Sequence, residues 1–429
     1  MYPSGTSPPS PDAHQVSERL NKGCFCITLD RAELCSAVAR EIADGEFCER
    51  FLKTRPHLFS NAAVFVPEAD VESMERIVRA IESASRLPDY KAAALAHAPD
   101  VARRDYGPLG VFMGYDFHLA EGGPKLIEVN TNAGGAFLNA LVAKAQHACC
   151  AEVQAALHRS EADDFDSAVI RMFRNEWTRQ RGAGSPQRIA IVDDKPQEQY
   201  LYPEFVLAEN FFAKHGIQTI IADAEQLRYE GGRLLFGDDQ IDLVYNRLVD
   251  FSLDGSGHAA LRSAYLDDAA VVTPNPHVHA LFADKRNLAL LSDQSTLRRW
   301  GLPPEMLIDL AGVPRAWLVT PENHQQLWSN RKKLFFKPVT GYGSRGVYRG
   351  DKLTRRVWDE IVRGDYMAQE FAAPGERMVL IDGARESRKA DLRLYTYHGQ
   401  VLLKAARLYQ GQATNLRTPG GGFAPVFLV

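Results

Sequence analysis

The sequence predicts a mixed α/β (α+β) protein, and three patterns along the chain indicate this class. Residues 19–180 are mostly helical in periodicity, with apolar side chains recurring every three or four positions. Between 186 and 280 strand, helix and strand follow one another, which is the order of a parallel α/β unit. From 281 to 429 a helix is followed by pairs of alternating strands. We therefore predict three folded regions after a short tail.

Composition is that of an ordinary globular protein. The chain has 429 residues, is 45% hydrophobic and 24% charged, and carries a net charge of −4. This charge gives no overall basic surface for nucleic acid, and no apolar run reaches the roughly 18 residues that a membrane span needs. Residues 1–18 begin Pro- and Ser-rich, without the basic and apolar parts of a signal peptide, so we expect a disordered tail.

Six cysteines lie in the first third of the chain, at positions 24, 26, 35, 48, 149 and 150. Their spacing matches no zinc or haem pattern. We therefore expect reduced thiols in a cytoplasmic protein. A metal or redox role for the pair Cys24 and Cys26 is the alternative.

The region 19–180 ends in a predicted strand pair that carries metal-ligand chemistry. "GYDFHLAEGGPKLIEVN" alternates as two strands around the turn "EGGP", and a glycine turn follows. Glu128 and Asn130 are two positions apart on the second strand, so both side chains point to the same face. A hard cation such as Mg²⁺ prefers oxygen ligands of this kind. The pair is therefore a candidate magnesium site.

The region 186–280 follows the linker "RGAGSPQ" and places a charged residue at a strand end. The strands "RIAIVDD", "IQTIIADA" and "IDLVYNRLVD" surround the helix "PEFVLAENFFAKHG". Open α/β sheets bind ligands at the carboxyl ends of their strands. Arg247 lies there between apolar neighbours and needs an anionic partner. The partner is either a substrate carboxylate or an internal salt bridge to Asp194 or Asp250.

The segment "LFFKPVTGYGSRGVYRG" indicates a phosphate site. An apolar strand carries Lys337, and the loop after it contains Gly341, Gly343, Ser344 and Gly346. Glycines let the backbone approach phosphates, and lysine supplies a point charge. The Walker pattern is absent. An ordinary hairpin turn is the alternative interpretation of this loop.

Three further segments support the interpretation of that loop as a phosphate site. "YMAQEFAAPGE" can offer backbone groups and a carboxylate to an adenosine through Gln369, Glu370 and Phe371. "DLRLYTYHGQVLLKAARLY" carries Asp391, Arg393 and Arg407, and arginine binds phosphate with two hydrogen bonds. "ATNLRTPGGG" contributes Asn415, Gly421 and Gly422. Each segment alone is also explained by a surface charge, a salt bridge or a flexible tail.

Taken together in this order, the segments resemble the ATP-grasp superfamily, in the branch of glutathione synthetase and the ribosomal-protein glutamate ligases. In that branch an Asp strand and the motif E-V-N follow the glycine loop. Here the corresponding residues, Asp116, Glu128 and Asn130, come early in the chain. The resemblance covers roughly residues 105–429. It implies an ATP-grasp fold that is circularly permuted, as in eukaryotic-type glutathione synthetases, with an inserted parallel α/β substrate-binding domain.

The resemblance also implies roles for individual residues. ATP would be held by Lys285, in "DKRNLALLSD", and by Lys337, the glycine loop and the segment 369–371. Two Mg²⁺ ions would be held by Asp116, Glu128 and Asn130. Arg393, Arg407 and Asn415 would hold the transferred phosphoryl group, and the substrate would contact Arg247, Asp250, Gly421 and Gly422. The glycine loop lacks the metal-binding glutamate of the eukaryotic-type enzymes, and glutathione-contacting residues other than Arg247 do not carry over.

The function implied is an ATP-dependent carboxylate–amine ligase that forms an amide or peptide bond through an acyl phosphate. Its partners would be small carboxylates and amines of amino-acid or peptide type, without nucleic acid or membrane, and a homodimer is left open. Two alternatives remain: an acid kinase or acyl-transfer enzyme on the same scaffold, and a nucleotide-binding module without catalysis. The acid and the amine are not specified by the sequence.

Overall fold

The N-terminal region is mainly helical and contains three strands. The computed structural model describes residues 12–42, 44–148, 150–159, 164–339 and 346–429. The helices here are α1 (Ala13–Gly23), α2 (Arg31–Glu41), α3 (Phe47–Thr54), α4 (Glu68–Ser85), α5 (Pro88–Leu95), α6 (Ala136–Lys144), α7 (Ala151–Arg159) and α8 (Phe165–Arg181). The strands are β1 (Val64–Val66), β2 (Met113–Ala120) and β3 (Gly123–Asn130).

The middle region contains a parallel sheet. Its strands are β4 (Arg188–Asp193), β5 (Gln218–Asp223), β6 (Leu227–Glu230), β7 (Arg233–Phe236), β8 (Asp239–Gln240), β9 (Leu243–Asn246) and β10 (Val271–Thr273). Its helices are α9 (Tyr202–Lys214), α10 (Ala259–Leu266) and α11 (Pro276–Val278), which a π-helical turn, His279–Ala283, follows. The parallel order is β10-β9-β4-β5, and β6-β7-β8 form a separate antiparallel sheet. The predicted parallel α/β unit is therefore confirmed.

The C-terminal region supplies two larger antiparallel sheets. Its strands are β11 (Ala316–Leu318), β12 (Leu334–Pro338), β13 (Tyr348–Arg349), β14 (Tyr366–Glu370), β15 (Gly375–Ile381), β16 (Ala384–Tyr397), β17 (Gln400–Tyr409), β18 (Gly422–Ala424) and β19 (Val426–Leu428). Its helices are α12 (Asn287–Ser292), α13 (Gln294–Arg299), α14 (Pro304–Asp309), α15 (His324–Asn330) and α16 (Arg355–Arg363). One sheet has the order β11-β14-β12-β13.

The second sheet contains strands from both the N-terminal and the C-terminal region. Its order is β18-β17-β16-β2-β3, with β15 paired to β16. Strand β2 runs antiparallel to β16 and places Asp116 opposite Arg393, although these residues are 277 positions apart. The hairpin of β2 and β3 brings Glu128 opposite Asp116. The predicted metal strands and the predicted arginine strands are therefore neighbours in one sheet.

Local sequence explains the longer elements. In α4, buried side chains recur at helical spacing, and acidic residues in its first turn suit the positive end of the helix dipole. Between Arg31 and Thr54 we predicted continuous helical periodicity, and the structure has two helices, α2 and α3, with Gly45 between them. Glycine is a poor helix former, which is consistent with a break at this position.

The N-terminal segment is held against the sheet by tertiary contacts that the sequence did not indicate. Helix α1 begins at Ala13, inside the predicted tail, whereas residues 1–11 lie outside the described part of the chain. Strand β1 pairs in parallel with β19. Arg377 is fully buried, and its guanidinium donates hydrogen bonds to the carbonyls of Asn21, Cys24, Ala63 and Met378. One side chain thus links three segments.

The expectation of reduced thiols is wrong for part of the cysteines. Cys35 and Cys48 form a disulfide between α2 and α3, and Cys26 is also disulfide-bonded. Cys24 and Cys150 are free. The cytoplasmic location stays a prediction, and the disulfide argues against it, because such bonds persist mainly in oxidising compartments. Among the helices of the described residues, none is long and apolar enough to cross a membrane.

We expect Arg377→Ala to lower the free energy of unfolding by about 3 kcal/mol, because several buried carbonyls lose their donor together. Chemical denaturation measures this change. The matched control is Arg363→Ala, whose side chain is exposed at the end of α16 and should change stability by less than about 0.5 kcal/mol. Equal effects of the two substitutions would contradict the structural role of Arg377.

Candidate active site

A cavity of about 1130 Å³ lies between the two antiparallel sheets. Strands β3, β12, β14, β16 and β17, together with the π-helical turn, contribute side chains to its wall. Its volume exceeds what a drug-sized ligand requires. The cavity therefore has room for a nucleotide and a second small molecule.

One end of the cavity contains the predicted nucleotide-binding residues. Lys337 is 5% exposed, and its Nζ donates to the Ile127 carbonyl and to Gln369 Oε1, both at 2.9 Å. Burial lowers the pKa of Lys337 to about 8, against the opposing charge of Glu128. Lys285 also lines this part of the wall. The structure brings both predicted phosphate-binding lysines to one cavity.

The predicted adenosine segment contributes in a different way from that expected. The side chain of Gln369 is buried, and it orients Lys337 from the neighbouring strand. Glu370 and Phe371 line the cavity, and the Phe371 ring lies below the guanidinium of Arg349 at 4.6 Å. The backbone N–H groups of Glu370 and Phe371 donate to the carbonyls of Arg315 and Lys333. The groups of this segment that remain available to a ligand are therefore the side chains of Glu370 and Phe371.

The predicted glycine loop lies largely outside the described part of the chain. This applies to Gly341, Gly343 and Ser344. Gly346 is described and has φ +69°, a conformation that suits glycine in a turn. A Cβ atom there would be 3.0 Å from the Tyr366 hydroxyl. The next residue, Val347, lines the cavity.

Glu128 and Asn130 line the cavity side by side, as predicted. The Asn130 amide donates to Asp116 Oδ2 at 3.1 Å and to Glu128 Oε1 at 3.3 Å. Within the described residues, no group of three or more His, Cys, Asp or Glu side chains is arranged to hold a metal. A carboxylate and an amide oxygen beside the predicted phosphate-binding lysines nevertheless fit Mg²⁺, which keeps several waters and binds phosphate oxygens as well.

Asp116 has a different environment from the one predicted for a metal ligand. It is 2% exposed and does not line the cavity. Arg393 donates to it through Nε at 2.6 Å and Nη2 at 2.7 Å, and Arg407 Nη2 lies 2.8 Å away. Burial alone would raise the pKa of Asp116, but the two arginines hold it well below its usual range. Asp116 therefore anchors the arginines in this structure.

Both arginines are fixed at the cavity wall by carboxylates behind them. Arg407 also donates from Nε to Asp391 at 2.7 Å, and Asp391 accepts a further hydrogen bond from Thr414. Arg393 and Arg407 are less than a tenth exposed, and both line the cavity. A planar guanidinium held in this way is well placed to bind phosphate or carboxylate oxygens.

The predicted residues of the last loop do not all reach the cavity. Asn415 lines it, but its side chain donates to the Gln410 carbonyl and accepts from Arg417 N and Thr418 Oγ1. Gly421 and Gly422 pack against backbone: added Cβ atoms would lie 2.4 Å from the carbonyl oxygens of Leu408 and His57, respectively. These two glycines allow close packing of β18 and are not among the cavity-lining residues.

Arg247 and Asp250 lie behind the cavity. Arg247 is 7% exposed, and its Nη1 donates to the Asn132 carbonyl at 2.9 Å. A Cβ atom on Gly134 would be 2.9 Å from its Nη2, so the guanidinium supports the glycine turn after β3. The alternative salt bridge is not formed, because Asp194 and Asp250 both accept hydrogen bonds from His258, at 2.8 and 2.7 Å.

Glu204 is a site residue that sequence reasoning missed. It is fully buried in α9 and accepts hydrogen bonds from the backbone N–H groups of Gly135, at 2.7 Å, and Phe137, at 3.2 Å. It therefore fixes the glycine turn at the start of α6, from the side where Arg247 lies. A glutamate on the apolar face of "PEFVLAENFF" was the available signal.

His279 was also missed. It lines the cavity from the π-helical turn, its Nδ1 lies 3.2 Å from Thr131 Oγ1, and its ring stacks on Phe251 at 3.7 Å. Burial lowers the pKa of His279 to about 4, so the imidazole is neutral at physiological pH. A π-helical turn has no sequence signature that would have marked this residue.

The paired carboxylates around His258 predict a pH-dependent stability. Burial alone would lower the pKa of His258, but Asp194 and Asp250 raise it above 6.5. The stabilisation is therefore complete below pH 6.5 and is lost as the pH rises through the folded-state pKa. We expect His258→Asn to reduce the free energy of unfolding more at about pH 5.5 than at about pH 9.

Urea denaturation of wild type and variant at both pH values measures this difference. The control is His97→Asn, because the ring of His97 is exposed. A loss of stability for His258→Asn that is the same at both pH values would rule out the charged pairing.

Comparison with known proteins gives matches among solved structures alone: no family model and no curated protein sequence matches the chain. A glutathione synthetase-like effector from Globodera pallida, in its apo form, is 12% identical with a TM-score of 0.55, over 94% of this chain and 98% of that one. A putative gamma-glutamylcysteine synthetase from Methylobacillus flagellatus is 12% identical with a TM-score of 0.45, over 82% and 85%. The ATP-grasp ligase PsnB, complexed with minimal precursor, Mg and ADP, is 16% identical with a TM-score of 0.29, over 56% and 88%.

At 12% identity, the likeness to the effector shows the fold and nothing further. It extends over almost the whole of both chains, so the predicted fold class is confirmed. Circular permutation stays a prediction, although the early hairpin of β2 and β3 does lie in the C-terminal sheet, as permutation requires. The chain has the mixed α/β fold of this glutathione synthetase-like protein.

Proposed function

We propose that the protein is an ATP-dependent carboxylate–amine ligase that forms an amide bond through an acyl phosphate, releasing ADP and phosphate. One observation carries the proposal. Lys337, the pair Glu128 and Asn130, and the pair Arg393 and Arg407 come from distant parts of the chain and line one cavity. Cation, metal ligands and anchored arginines together are what phosphoryl transfer requires, since it depends mainly on positioning and neutralised charge.

The nucleotide end would hold ATP and magnesium. Lys285 and Lys337 would neutralise the α- and β-phosphates, and Glu370 and Phe371 would contact the adenosine. Glu128 and Asn130 would hold Mg²⁺, and two ions are expected. Asp116, the third ligand that the resemblance implies, is bound by the two arginines in this structure. When bound, Mg²⁺ supplies positive charge to the β- and γ-phosphate oxygens. The glycine loop of residues 341–346 is expected to contribute backbone N–H groups to the phosphates.

Arg393 and Arg407 would bind the acid substrate. An oxygen of the substrate carboxylate attacks the γ-phosphorus, the bond to the β-phosphate oxygen breaks, and ADP leaves. An amine nitrogen then attacks the acyl carbon, and inorganic phosphate leaves with the electron pair of the C–O bond. Both steps place negative charge on oxygens near the guanidinium groups. Because Asp116 and Asp391 hold the arginines in place, little reorganisation is needed during the reaction.

The two alternatives make different predictions for the same assay. An acid kinase would form ADP without any amine, whereas a ligase needs the amine for sustained turnover. A module without catalysis would bind nucleotide and form no ADP. A panel of amino acids and dipeptides, screened for phosphate release with and without added amine, separates the three. ADP formation that is independent of amine would overturn the ligase proposal.

We expect Glu128→Gln to reduce ADP formation at least a hundredfold while the protein stays folded, because the metal site loses its anionic ligand at the cavity wall. The measurement is steady-state turnover in saturating Mg²⁺, with circular dichroism to check folding. Glu121→Gln is the matched control, since this carboxylate is exposed in the turn between β2 and β3. Near-normal turnover of the Glu128 variant would remove it from the metal site.

A further inference from the structure

The turn after β3, residues 131–135, lies at the end of the cavity beyond Arg393 and Arg407. Its contacts hold the surrounding segments in place. Thr131 pairs with His279, Asn132 donates to the Leu248 carbonyl at 3.0 Å, and Gly134 lies against Leu201. These contacts bring three separate segments around one turn: the start of α9, the loop after β9 and the π-helical turn. The polar side chains of the turn are therefore already hydrogen-bonded within the protein.

Besides the polar side chains of His279, Gln410, Gln412, Thr414 and Asn415, these segments and the last loop present four large apolar side chains to the cavity. Leu201, Val249, Phe251 and Leu416 all line it, and none of the four is fully buried. Val249 is 36% exposed and lies in the loop after β9. The Leu416 carbonyl accepts from the Tyr200 hydroxyl at 2.8 Å, which holds the last loop against the start of α9.

Charged groups are concentrated elsewhere in the cavity. Arg349 lies over Phe371 at the nucleotide end. Burial and the charges of Arg349 and Lys352 lower the pKa of Lys389. Lys285 and Lys337 influence each other, and the two arginines are bound to Asp116. Among the described cavity-lining cations, each thus belongs to the nucleotide end or to the phosphoryl site. Arg247, which could have bound a second carboxylate, lies behind Gly134.

A wall of this kind discriminates between ligands by their shape and by the apolar area that they bury. A second carboxylate or ammonium on the acid would be desolvated here without a partner of opposite charge, which is unfavourable. An apolar group of leucine or phenylalanine size would instead remove both itself and four partly exposed side chains from water. The face of Phe251, whose other side is covered by His279, offers a flat surface for such a group.

We propose that the acid substrate carries an uncharged, apolar side chain, of leucine or phenylalanine size, next to the carboxylate that is activated. The reacting carboxylate lies at Arg393 and Arg407, and the side chain lies against Leu201, Val249, Phe251 and Leu416. The assignment rests on the proposed ligase function and names its substrate class.

The test compares acids that differ in one side chain: N-acetyl-leucine, N-acetyl-phenylalanine, N-acetyl-serine and N-acetyl-glutamate, each with ATP, Mg²⁺ and glycine as amine. We expect kcat/KM for ADP formation to be at least tenfold higher for the two apolar acids than for N-acetyl-glutamate. Binding of each acid is measured separately by calorimetry in the presence of a non-hydrolysable ATP analogue, and we expect the same order.

Val249→Lys is the decisive variant, because Val249 is partly exposed and the substitution need not disturb the fold. We expect it to lower kcat/KM for N-acetyl-phenylalanine at least tenfold and to raise it for N-acetyl-glutamate, with KM for ATP changed less than twofold. The control is Ile308→Lys, an apolar residue that is 74% exposed and does not line the cavity. Charge added there should leave the preference unchanged.

The outcomes separate the two proposals. If N-acetyl-glutamate binds or reacts as well as the apolar acids in the wild type, or if Val249→Lys leaves the preference unchanged, the substrate class is wrong. If the apolar acids bind in the expected order but no acid and amine yield ADP, the ligase proposal fails, and the apolar subsite stands. Binding of none of the four acids overturns the subsite.

Discussion

The buried ion cluster of Asp116 with Arg393 and Arg407 is the interaction on which the rest of the structure depends. All three side chains are less than a tenth exposed. Leaving one member of such a cluster without its partner costs about 3–5 kcal/mol. Strand β2 can therefore dock beside β16 only in the register that places Asp116 opposite Arg393. A slip by one residue would turn the aspartate to the other face of the sheet. Arg393 would then lose its carboxylate, and Arg407 would keep Asp391 alone.

This register determines the geometry of the site. With Asp116 fixed, the hairpin places Glu128 and Asn130 at the cavity wall, and the backbone of β3 reaches Lys337 through the Ile127 carbonyl. The turn after β3 is then held by Glu204 from α9 and opens towards the apolar end of the cavity. One antiparallel hairpin thus connects the proposed sites for the nucleotide, the phosphoryl group and the substrate. The polarity of the wall changes along it, from lysines through arginines to aliphatic and aromatic side chains.

Sequence patterns predicted those features that depend on neighbours along the chain or on strand periodicity. The hairpin carrying Glu128, the parallel unit and the lysine strand follow from such patterns, and the order of motifs placed the hairpin beside the arginine strands. Features that depend on distant packing were not accessible. Gly422 looked like a ligand-binding glycine but allows β18 to approach the backbone at His57. Arg247 stands at a strand end, as expected, yet the turn after β3 covers its guanidinium. The disulfide joins cysteines whose spacing fits no known motif.

The central claim is that the ion cluster couples the hairpin to the arginine strands, and a double-mutant cycle measures this coupling directly. The variants are Asp116→Asn, Arg393→Gln and the double substitution, and the measured quantity is the free energy of unfolding by urea. Asp116→Asn leaves the buried Arg393 without its carboxylate, and Arg393→Gln leaves Asp116 with Arg407 alone. The double change removes both charges of the pair. The account predicts a coupling energy of about 2 kcal/mol or more between the two positions. Additive effects, with a coupling energy below about 0.5 kcal/mol, would contradict it.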